Sequence, residues 1–261
     1  MVDNRDLQRE YYDGVYKSNN YGDAEEKVST NIKSYFVDRF LDLTIRSEKQ
    51  KVLEIGCGSG TLTQYLLNRR LNVHAIDISS TAIECLRTRF GAYIDSGQLV
   101  AQCSDILDYL KGHTGFDVII GSGIIHHIEK TRRVDFFVKV YNALNNTGTF
   151  ACAPEPNANG LYSYLWRSAG CIYRRCYNID FNEEVEKGTF DMQSESLVRE
   201  LKSAGFMNAE VFPYQVLPHF SSKRISLIDR KLVEFFSGKW ALYTIIKAVK
   251  SAPGTSPDVQ P

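Results

Sequence analysis

Three features of the 261-residue chain predict an α/β fold in which a doubly wound, mostly parallel sheet carries helices on both faces. Between residues 50 and 155, short β-type runs alternate with helical segments. Several of the β-type runs are rich in Val and Ile, as expected of strands that are buried on both faces. A turn with glycines at alternate positions, Gly56 to Gly60, connects the first of these runs to the first helix that follows it.

The central region contains five predicted strands and three predicted helices. The strands cover residues 51–55, 72–77, 99–102, 116–120 and 149–153. The helices cover residues 61–70, 80–90 and 131–144, and Thr61 and Ser80 are suitable first-turn or capping residues. In the third helix a stripe of apolar residues at helical spacing is predicted to face the core: Val134, Phe137, Val138, Tyr141 and Leu144.

The flanks add further predicted elements. Residues 24–46 form one predicted helix, and a tyrosine-rich leader with Tyr11, Tyr12, Tyr16 and Tyr21 precedes it. Residues 194–204 are predicted to be a helix that ends at Gly205, and a helical stretch near 225–236 separates two predicted strands at 209–214 and 242–248. We therefore expect an N-terminal lid and helix (1–46), a main domain (47–250) with a cap insertion at about 157–192, and a flexible tail (251–261).

The composition is that of a globular protein and does not favour binding to nucleic acid. The chain has 31 Lys and Arg against 31 Asp and Glu, so its formal net charge is zero, and hydrophobic residues make up 43%. It therefore lacks the global field that draws basic proteins onto nucleic acid or acidic lipid. No apolar run reaches the roughly 18 residues of a spanning helix, and the N-terminus lacks the apolar segment of a signal peptide. We expect a cytoplasmic protein.

The number and spacing of the cysteines also favour a cytoplasmic protein. Six cysteines are scattered along the chain, and the spacing of the one close pair, Cys171 and Cys176, is not that of a zinc site. We expect reduced thiols that serve in packing, and no bound metal.

The most informative segment is residues 52–60, VLEIGCGSG, where a buried strand runs into the glycine-rich turn. Glycine permits positive φ angles and lets a ligand lie against the backbone, while the following helix offers amide donors. A dinucleotide fingerprint needs its third glycine one position later than Gly60. Glu54 also suits a ligand with an ammonium group better than a pyrophosphate.

Two further carboxylates follow the next two predicted strands. Asp77 lies at the end of the second strand, where it can accept hydrogen bonds from both hydroxyls of a ribose. Asp105 lies just past the third strand and can accept a hydrogen bond from an adenine amino group. Either aspartate alone could be a helix cap, but capping does not explain their order after Glu54 and the glycines.

Together with residues 116–128, FDVIIGSGIIHHI, these motifs resemble those of class I S-adenosylmethionine-dependent methyltransferases, most closely the branch that modifies small molecules. The resemblance is specific over about 51–153 and looser to about 249. It implies a Rossmann-like, seven-stranded sheet whose last strand is antiparallel, with S-adenosylmethionine as the cofactor and S-adenosylhomocysteine as its product. The chain departs from the family at Asn146, Thr147 and Gly148, where a Pro-Gly-Gly-type turn is usual.

The resemblance also implies which residues contact the cofactor. The glycine loop and the Glu54 region would hold the methionine part, Asp77 the ribose and Asp105 with Ile106 the adenine, while Gly121 to Gly123 would approach the methionine end. Tyr12, Tyr16 and Tyr21 would close over the donor methyl as an N-terminal lid, with Tyr21 preferred from its family position. The predicted cofactor-binding residues are Glu54, Gly56, Cys57, Gly58, Gly60, Asp77, Ile78, Asp105, Ile106, Gly121, Ser122 and Tyr21.

Methyl transfer to a hydroxyl needs a base, and three residues near the predicted cleft are candidates for it. His126 and His127 follow the fourth strand, and one of them could instead cap or pack against the next helix. We expect at most one catalytic histidine, with His127 preferred. Glu155 follows the fifth strand, where Pro154 and Pro156 would hold it over the cleft with Asn157, unless it is a solvated loop acid.

The acceptor is predicted to be a small molecule such as a metabolite, a sugar or a quinone-type or lipid-type compound, methylated on oxygen. Methylation of nitrogen or carbon, a nicotinamide-dependent oxidoreductase and a non-catalytic binding module are the alternatives. Residues 161–177 mix basic and aromatic side chains. That mixture is typical of a solvated amphipathic helix, and contact with an anionic acceptor or a membrane surface is the alternative. The sequence leaves the oligomeric state open.

Overall fold

The computed structural model describes residues 4–17, 34–160, 192–214, 228, 231–232, 235 and 241–251. Several predictions fall on residues outside those ranges. They are the position of Tyr21, the first part of the helix predicted at 24–46, most of the cap insertion at 157–192 with its segment 161–177 and the pair Cys171 and Cys176, most of the helical stretch near 225–236 and the tail after Ser251.

The described elements alternate between strands and helices as the sequence pattern predicts. Before the sheet come α1 (Asn4–Lys17) and α2 (Ser34–Thr44). The first half of the sheet region comprises β1 (Lys51–Ile55), α3 (Thr61–Asn68), β2 (Asn72–Asp77), α4 (Ser80–Arg89), α5 (Gly91–Asp95) and β3 (Leu99–Cys103). The rest comprises α6 (Ile106–Gly112), β4 (Phe116–Gly121), a 3₁₀ turn (Ile125–His127), α7 (Lys130–Ala143), β5 (Leu144–Pro156), α8 (Ser194–Ser203), β6 (Asn208–Tyr214) and β7 (Tyr243–Val249).

These strands form one seven-stranded sheet in the order β3-β2-β1-β4-β5-β7-β6. β1 to β5 pair in parallel, and β7 runs antiparallel to both of its neighbours. Ile55 at the end of β1 is in register with Ile76 of β2 and Gly121 of β4. The predicted fold class is confirmed, and the register brings three of the motif-bearing strand ends to the same edge of the sheet.

The hydrophobic core is divided by the sheet into two layers. Successive side chains of β1 point to opposite faces, so Val52 packs in one layer and Leu53 and Ile55 in the other. The first layer includes buried residues of α2, α3 and α4, and the second includes buried residues of α6, α7 and α8. None of the helices that the structure describes is both long and apolar enough to cross a membrane.

Most of the stripe predicted for α7 faces the core, since four of its members are buried or pack against the core: Phe137, Val138, Tyr141 and Leu144. Val134 is 36% exposed, whereas Arg133, Phe136 and Val140 are fully buried. Packing of α8 against α7 accounts for the buried arginine, because its Nε lies 3.3 Å from the Glu200 carboxylate of α8. Apolar periodicity cannot predict a charged side chain that is buried against a partner on another helix.

Other local predictions are confirmed or corrected. Gly205 follows α8 with a φ of +106°. Ser80 is the first residue of α4, in agreement with the first-turn prediction, and Ser79 caps the helix, since its side chain accepts a hydrogen bond from the Ala82 amide. The fifth strand is longer than predicted and includes the segment around Thr147, which has a φ of +66°. Of the four described cysteines, Cys57 and Cys152 are buried, but Cys85 and Cys103 are exposed, so packing explains only two of them.

Candidate active site

A cleft of about 850 Å³, counted to its open mouth, lies at the carboxyl ends of the parallel strands and is covered on one side by α1. In open α/β sheets ligands bind at this edge. The side chains and backbone that line the cleft are those of Gln8, Tyr12, Tyr16, Gly56, Ile76, Asp77, Ile78, Ser104, Asp105, Ile106, Ser122, Gly123, Ile124, His127 and Ile128.

The glycine loop between β1 and α3 has two different structural roles. Gly56, Gly58 and Gly60 all have positive φ angles, of +65°, +52° and +91°. A Cβ at Gly60 would lie within 2.6 Å of the core side chains Leu86 and Phe90, so this glycine allows helix packing. A Cβ at Gly58 would instead meet the Tyr16 hydroxyl of α1, and Gly56 lines the cleft directly.

Asp77, at the end of β2, is oriented by the backbone around it. Its Oδ2 accepts a hydrogen bond from the Gly58 amide at 2.9 Å, and its Oδ1 accepts one from the Ser79 amide at 2.9 Å. Burial raises the pKa of this carboxyl despite those two bonds. Each carboxylate oxygen has a second lone pair, so the anchored group can still accept hydrogen bonds from a ligand.

Asp105 lines the cleft and also caps α6. Its Oδ1 accepts hydrogen bonds from the amides of Leu107 at 2.9 Å and Asp108 at 3.1 Å. The capping interpretation and the ligand-binding interpretation are therefore compatible at this residue, because capping uses one of the two carboxylate oxygens. Ile106, the first residue of α6, lies beside it in the lining of the cleft.

Glu54 lies behind the glycine loop rather than in the lining of the cleft. It is 1% exposed, and its Oε2 accepts a 2.6 Å hydrogen bond from Thr63 Oγ1 on α3. Burial raises its pKa to about 8, to which the nearby negative charge of Asp77 contributes. Cys57, Gly58, Gly60 and Gly121 are likewise predicted cofactor residues that lie outside the cleft lining, in the layer that shapes it.

His127 is the predicted catalytic residue that faces the cleft. Its Nε2 lies 2.9 Å from the Tyr12 hydroxyl of α1, and the two rings meet edge to face with centroids 5.6 Å apart. Gln8, one helical turn before Tyr12, donates a 2.8 Å hydrogen bond to the His127 carbonyl. The side chain and the backbone of His127 are therefore both in contact with α1.

Glu155 does not occupy the position predicted for it over the cleft, nor is it a solvated loop acid. It is 0% exposed, and its Oε2 lies 2.9 Å from Nδ1 of His126, which is not part of the cleft lining. Burial alone would raise the pKa of Glu155, but its contacts with His126 and Cys152 hold the pKa below the ordinary value. The two prolines indicated a restricted strand end, but they could not indicate which way the carboxylate faces.

Helix α1 is the part of the site that the sequence pattern described least well. Tyr12 and Tyr16 were expected to act as a lid, and both line the cleft, but Gln8 was missed. Spacing of i, i+4 and i+8 places these three residues on one helical face, a signal that could have identified Gln8. Asp13 fixes the helix to the start of α4, where it accepts hydrogen bonds from Ser79 Oγ and the Thr81 amide.

Within the described ranges no group of three or more His, Cys, Asp or Glu residues is arranged to hold a metal ion. The cleft is lined instead by apolar side chains, two aspartates near strand ends, glycine backbone and one imidazole. Such a set suits a ligand with hydroxyl and amino groups and a flat apolar part.

Comparison with known proteins shows what this chain is similar to. Residues 53–150 match the family described as a methyltransferase domain. An uncharacterized methyltransferase of Mycobacterium tuberculosis is 33% identical over 95 residues, which are 36% of this chain and 46% of the relative. The carboxy-S-adenosyl-L-methionine synthase of Campylobacter fetus is 31% identical over 106 residues, or 40% of this chain and 44% of the relative. The chain spans about half the length of these curated relatives.

Solved structures share the fold over a larger part of the chain. A SAM-dependent methyltransferase from Archaeoglobus fulgidus superposes with a TM-score of 0.60 at 17% identity. The match covers 88% of this chain and all of that structure. At this level of identity the likeness shows a shared fold, with the same kind of sheet.

Proposed function

We propose that this chain is a class I S-adenosylmethionine-dependent methyltransferase, which transfers the methyl group of S-adenosylmethionine to an oxygen atom of a small-molecule acceptor. One observation supports the proposal most. Gly56, Asp77, Asp105 and Ser122 lie at or just after the ends of four different strands and line one cleft. A nicotinamide dinucleotide is the alternative ligand, but the spacing of the glycines is that of the methyltransferase motif.

The residues of the cleft fit the parts of S-adenosylmethionine. The Asp77 carboxylate is held by two backbone amides, and its remaining lone pairs can accept hydrogen bonds from ribose hydroxyls. Asp105 offers a carboxylate and Ile106 an apolar contact for the adenine. Gly56 and Ser122 would lie beside the methionine part. When bound, the cofactor supplies a methyl group on a positively charged sulfur. The contacts proposed for Glu54 and Tyr21 remain predictions.

His127 is the residue that we propose as the base. An acceptor hydroxyl has to lose its proton as the methyl group is transferred, and a neutral imidazole can accept that proton. The Tyr12 hydroxyl at 2.9 Å from Nε2 can pass a proton from the acceptor oxygen to His127. His126 and Glu155 suit this role less well, because they bond to each other behind the cleft.

Calorimetry tests the cofactor assignment. We expect S-adenosylhomocysteine to bind to the full chain and NAD not to bind. Tight binding of NAD with none of S-adenosylhomocysteine would favour the oxidoreductase alternative. Failure of both ligands to bind at millimolar concentration would favour a non-catalytic module.

Turnover is tested by incubating the protein with S-adenosylmethionine and pools of hydroxyl, amine and carbon acceptors, with release of S-adenosylhomocysteine as the readout. We expect the hydroxyl pools to support turnover, and H127A to lower it by about 100-fold or more. Affinity for S-adenosylhomocysteine should stay within about threefold of wild type. H113A is the matched control, since His113 is exposed and stacks on Tyr109 away from the cleft lining. Near-full turnover by H127A would exclude the imidazole as the base.

A further inference from the structure

The buried carboxylate of Glu155 lies against the turn that carries His127. Oε1 accepts hydrogen bonds from the amides of Ile124 at 2.7 Å and Ile125 at 2.9 Å. Oε2 lies 2.9 Å from Nδ1 of His126, whose amide is 3.4 Å from the same oxygen. One side chain of β5 thus contacts three consecutive residues that follow β4.

These contacts satisfy the buried amide of Ile125 and the partly buried amide of Ile124. The first amides of a helical turn have no acceptor within the turn, and burying such a donor unsatisfied costs about 1–3 kcal/mol. The Cys152 thiol also contacts Glu155 Oε1, at 2.9 Å. Glu155 is held in turn by the sheet, because its residue pairs with Thr244 of β7.

The far side of the same turn faces the cleft. Ile124, His127 and Ile128 all line it, and His127 meets Tyr12 there. The rings of His126 and His127 are in contact, with centroids 3.9 Å apart. The orientation of the His127 ring therefore depends both on the conformation of the turn and on the position of α1.

We propose that Glu155 and His126 are positioning residues that hold the turn 124–127 so that the His127 ring faces the acceptor and Tyr12. This inference rests on the proposed function for the role of His127, but it makes a separate claim about geometry. The carboxylate acts through its hydrogen bonds to the turn and does not touch the acceptor. A glutamine, which keeps an acceptor for the Ile124 and Ile125 amides, should therefore substitute for it better than a leucine of similar size.

Nuclear Overhauser contacts between the Tyr12 and His127 rings provide a direct readout in the full-length protein. We expect the contact in wild type and in E155Q, and we expect at least about half of its intensity to be lost in E155L, where the buried amides have no acceptor. Calorimetry with S-adenosylhomocysteine should give affinities within about threefold of wild type for both variants. D135N, on the exposed side of α7, is the control and should change neither readout.

A second pair of variants covers the case in which E155L does not fold. H126A removes the ring donor to Oε2 and should weaken the Tyr12–His127 contact, whereas H126N places an amide donor near the same point and should restore it. A folded E155L or H126A protein with the full ring contact would overturn the proposal. So would a loss of the contact accompanied by a loss of more than about tenfold in S-adenosylhomocysteine affinity, because the whole cleft would then have collapsed. If wild type itself fails to bind S-adenosylhomocysteine, the proposed function fails and the geometric claim is still decided by the ring contact.

Discussion

Glu54 makes the stability of the protein depend on pH in an unusual direction. Its carboxyl is buried behind the glycine loop, and burial raises its pKa from 4.5 to about 8. Between these two pH values the folded protein keeps a proton that the unfolded chain has lost. The stabilisation is therefore complete below pH 4.5 and is lost as the pH rises to about 8.

E54Q should remove this dependence, because an amide stays neutral at every pH and can still accept the hydrogen bond from Thr63. We expect the free energy of unfolding of wild type to fall between pH 4.5 and about pH 8 relative to that of E54Q. The difference should be as much as ~1.4 kcal/mol for each pH unit. Urea denaturation at a series of pH values measures it, and parallel profiles for the two proteins would contradict the buried, protonated carboxyl.

Substitution of Gly58 and substitution of Gly60 should have different effects, although the backbone conformations of the two residues are alike. Alanine at either Gly58 or Gly60 has to adopt a positive φ, at a cost of about 1–2 kcal/mol. In G60A the new methyl group also meets Leu86 and Phe90, which adds about 1–3 kcal/mol of overpacking. In G58A it meets only the end of the Tyr16 side chain, which can move.

We therefore expect G60A to lower the melting temperature more than G58A does. G58A should lower the affinity for S-adenosylhomocysteine more than G60A does, when each loss of affinity is compared with the loss of melting temperature in the same variant. Thermal unfolding and calorimetry on the two variants test this together. Equal losses of stability would show that backbone strain, not packing, determines the role of Gly60.

Helix α1 completes the site from outside the sheet. Gln8 and Tyr12 contact His127, and Asp13 contacts Ser79 and Thr81 at the start of α4. A helix held by such polar contacts can detach without disturbing either core layer, since local openings cost less than global unfolding.

The double variant Gln8→Ala with Asp13→Ala should detach α1. We expect the dissociation rate of S-adenosylhomocysteine to rise by about tenfold, measured by stopped flow, with little change in the melting temperature. Glu10→Ala on the exposed part of the same helix is the matched control. Dissociation as slow as in wild type would show that α1 does not close the cleft.

At the scale of the whole molecule, a ligand that binds only the folded state should stabilise it. At a concentration about 100 times its dissociation constant, S-adenosylhomocysteine should add about 2.7 kcal/mol to the free energy of unfolding. NAD at the same concentration should add nothing. Chemical denaturation with each ligand measures the two effects, and equal stabilisation by both would argue against a selective cofactor cleft.

Much of the sheet follows from local sequence patterns. Runs of Val and Ile, helical periodicity and Gly205 are read from neighbouring residues, and the bounds of the first four strands agree to within one residue. Asp77 and Asp105 were located for the same reason, since parallel strands bring their carboxyl ends to one edge. Where the buried partner is distant, as for Arg133 and Glu200, apolar periodicity could not identify the buried charged side chain.

The sequence by itself determined the kind of sheet, the edge at which the candidate cleft lies and the residue types available there, because these depend on short-range spacing. Only the tertiary structure decided how the candidate bases are used. Tyr12 and His127 are separated by 115 positions, and Glu155 and His126 by 29. Whether a carboxylate faces a cleft or a buried turn depends on how such distant segments pack, and a residue's near neighbours in the sequence carry no information about that.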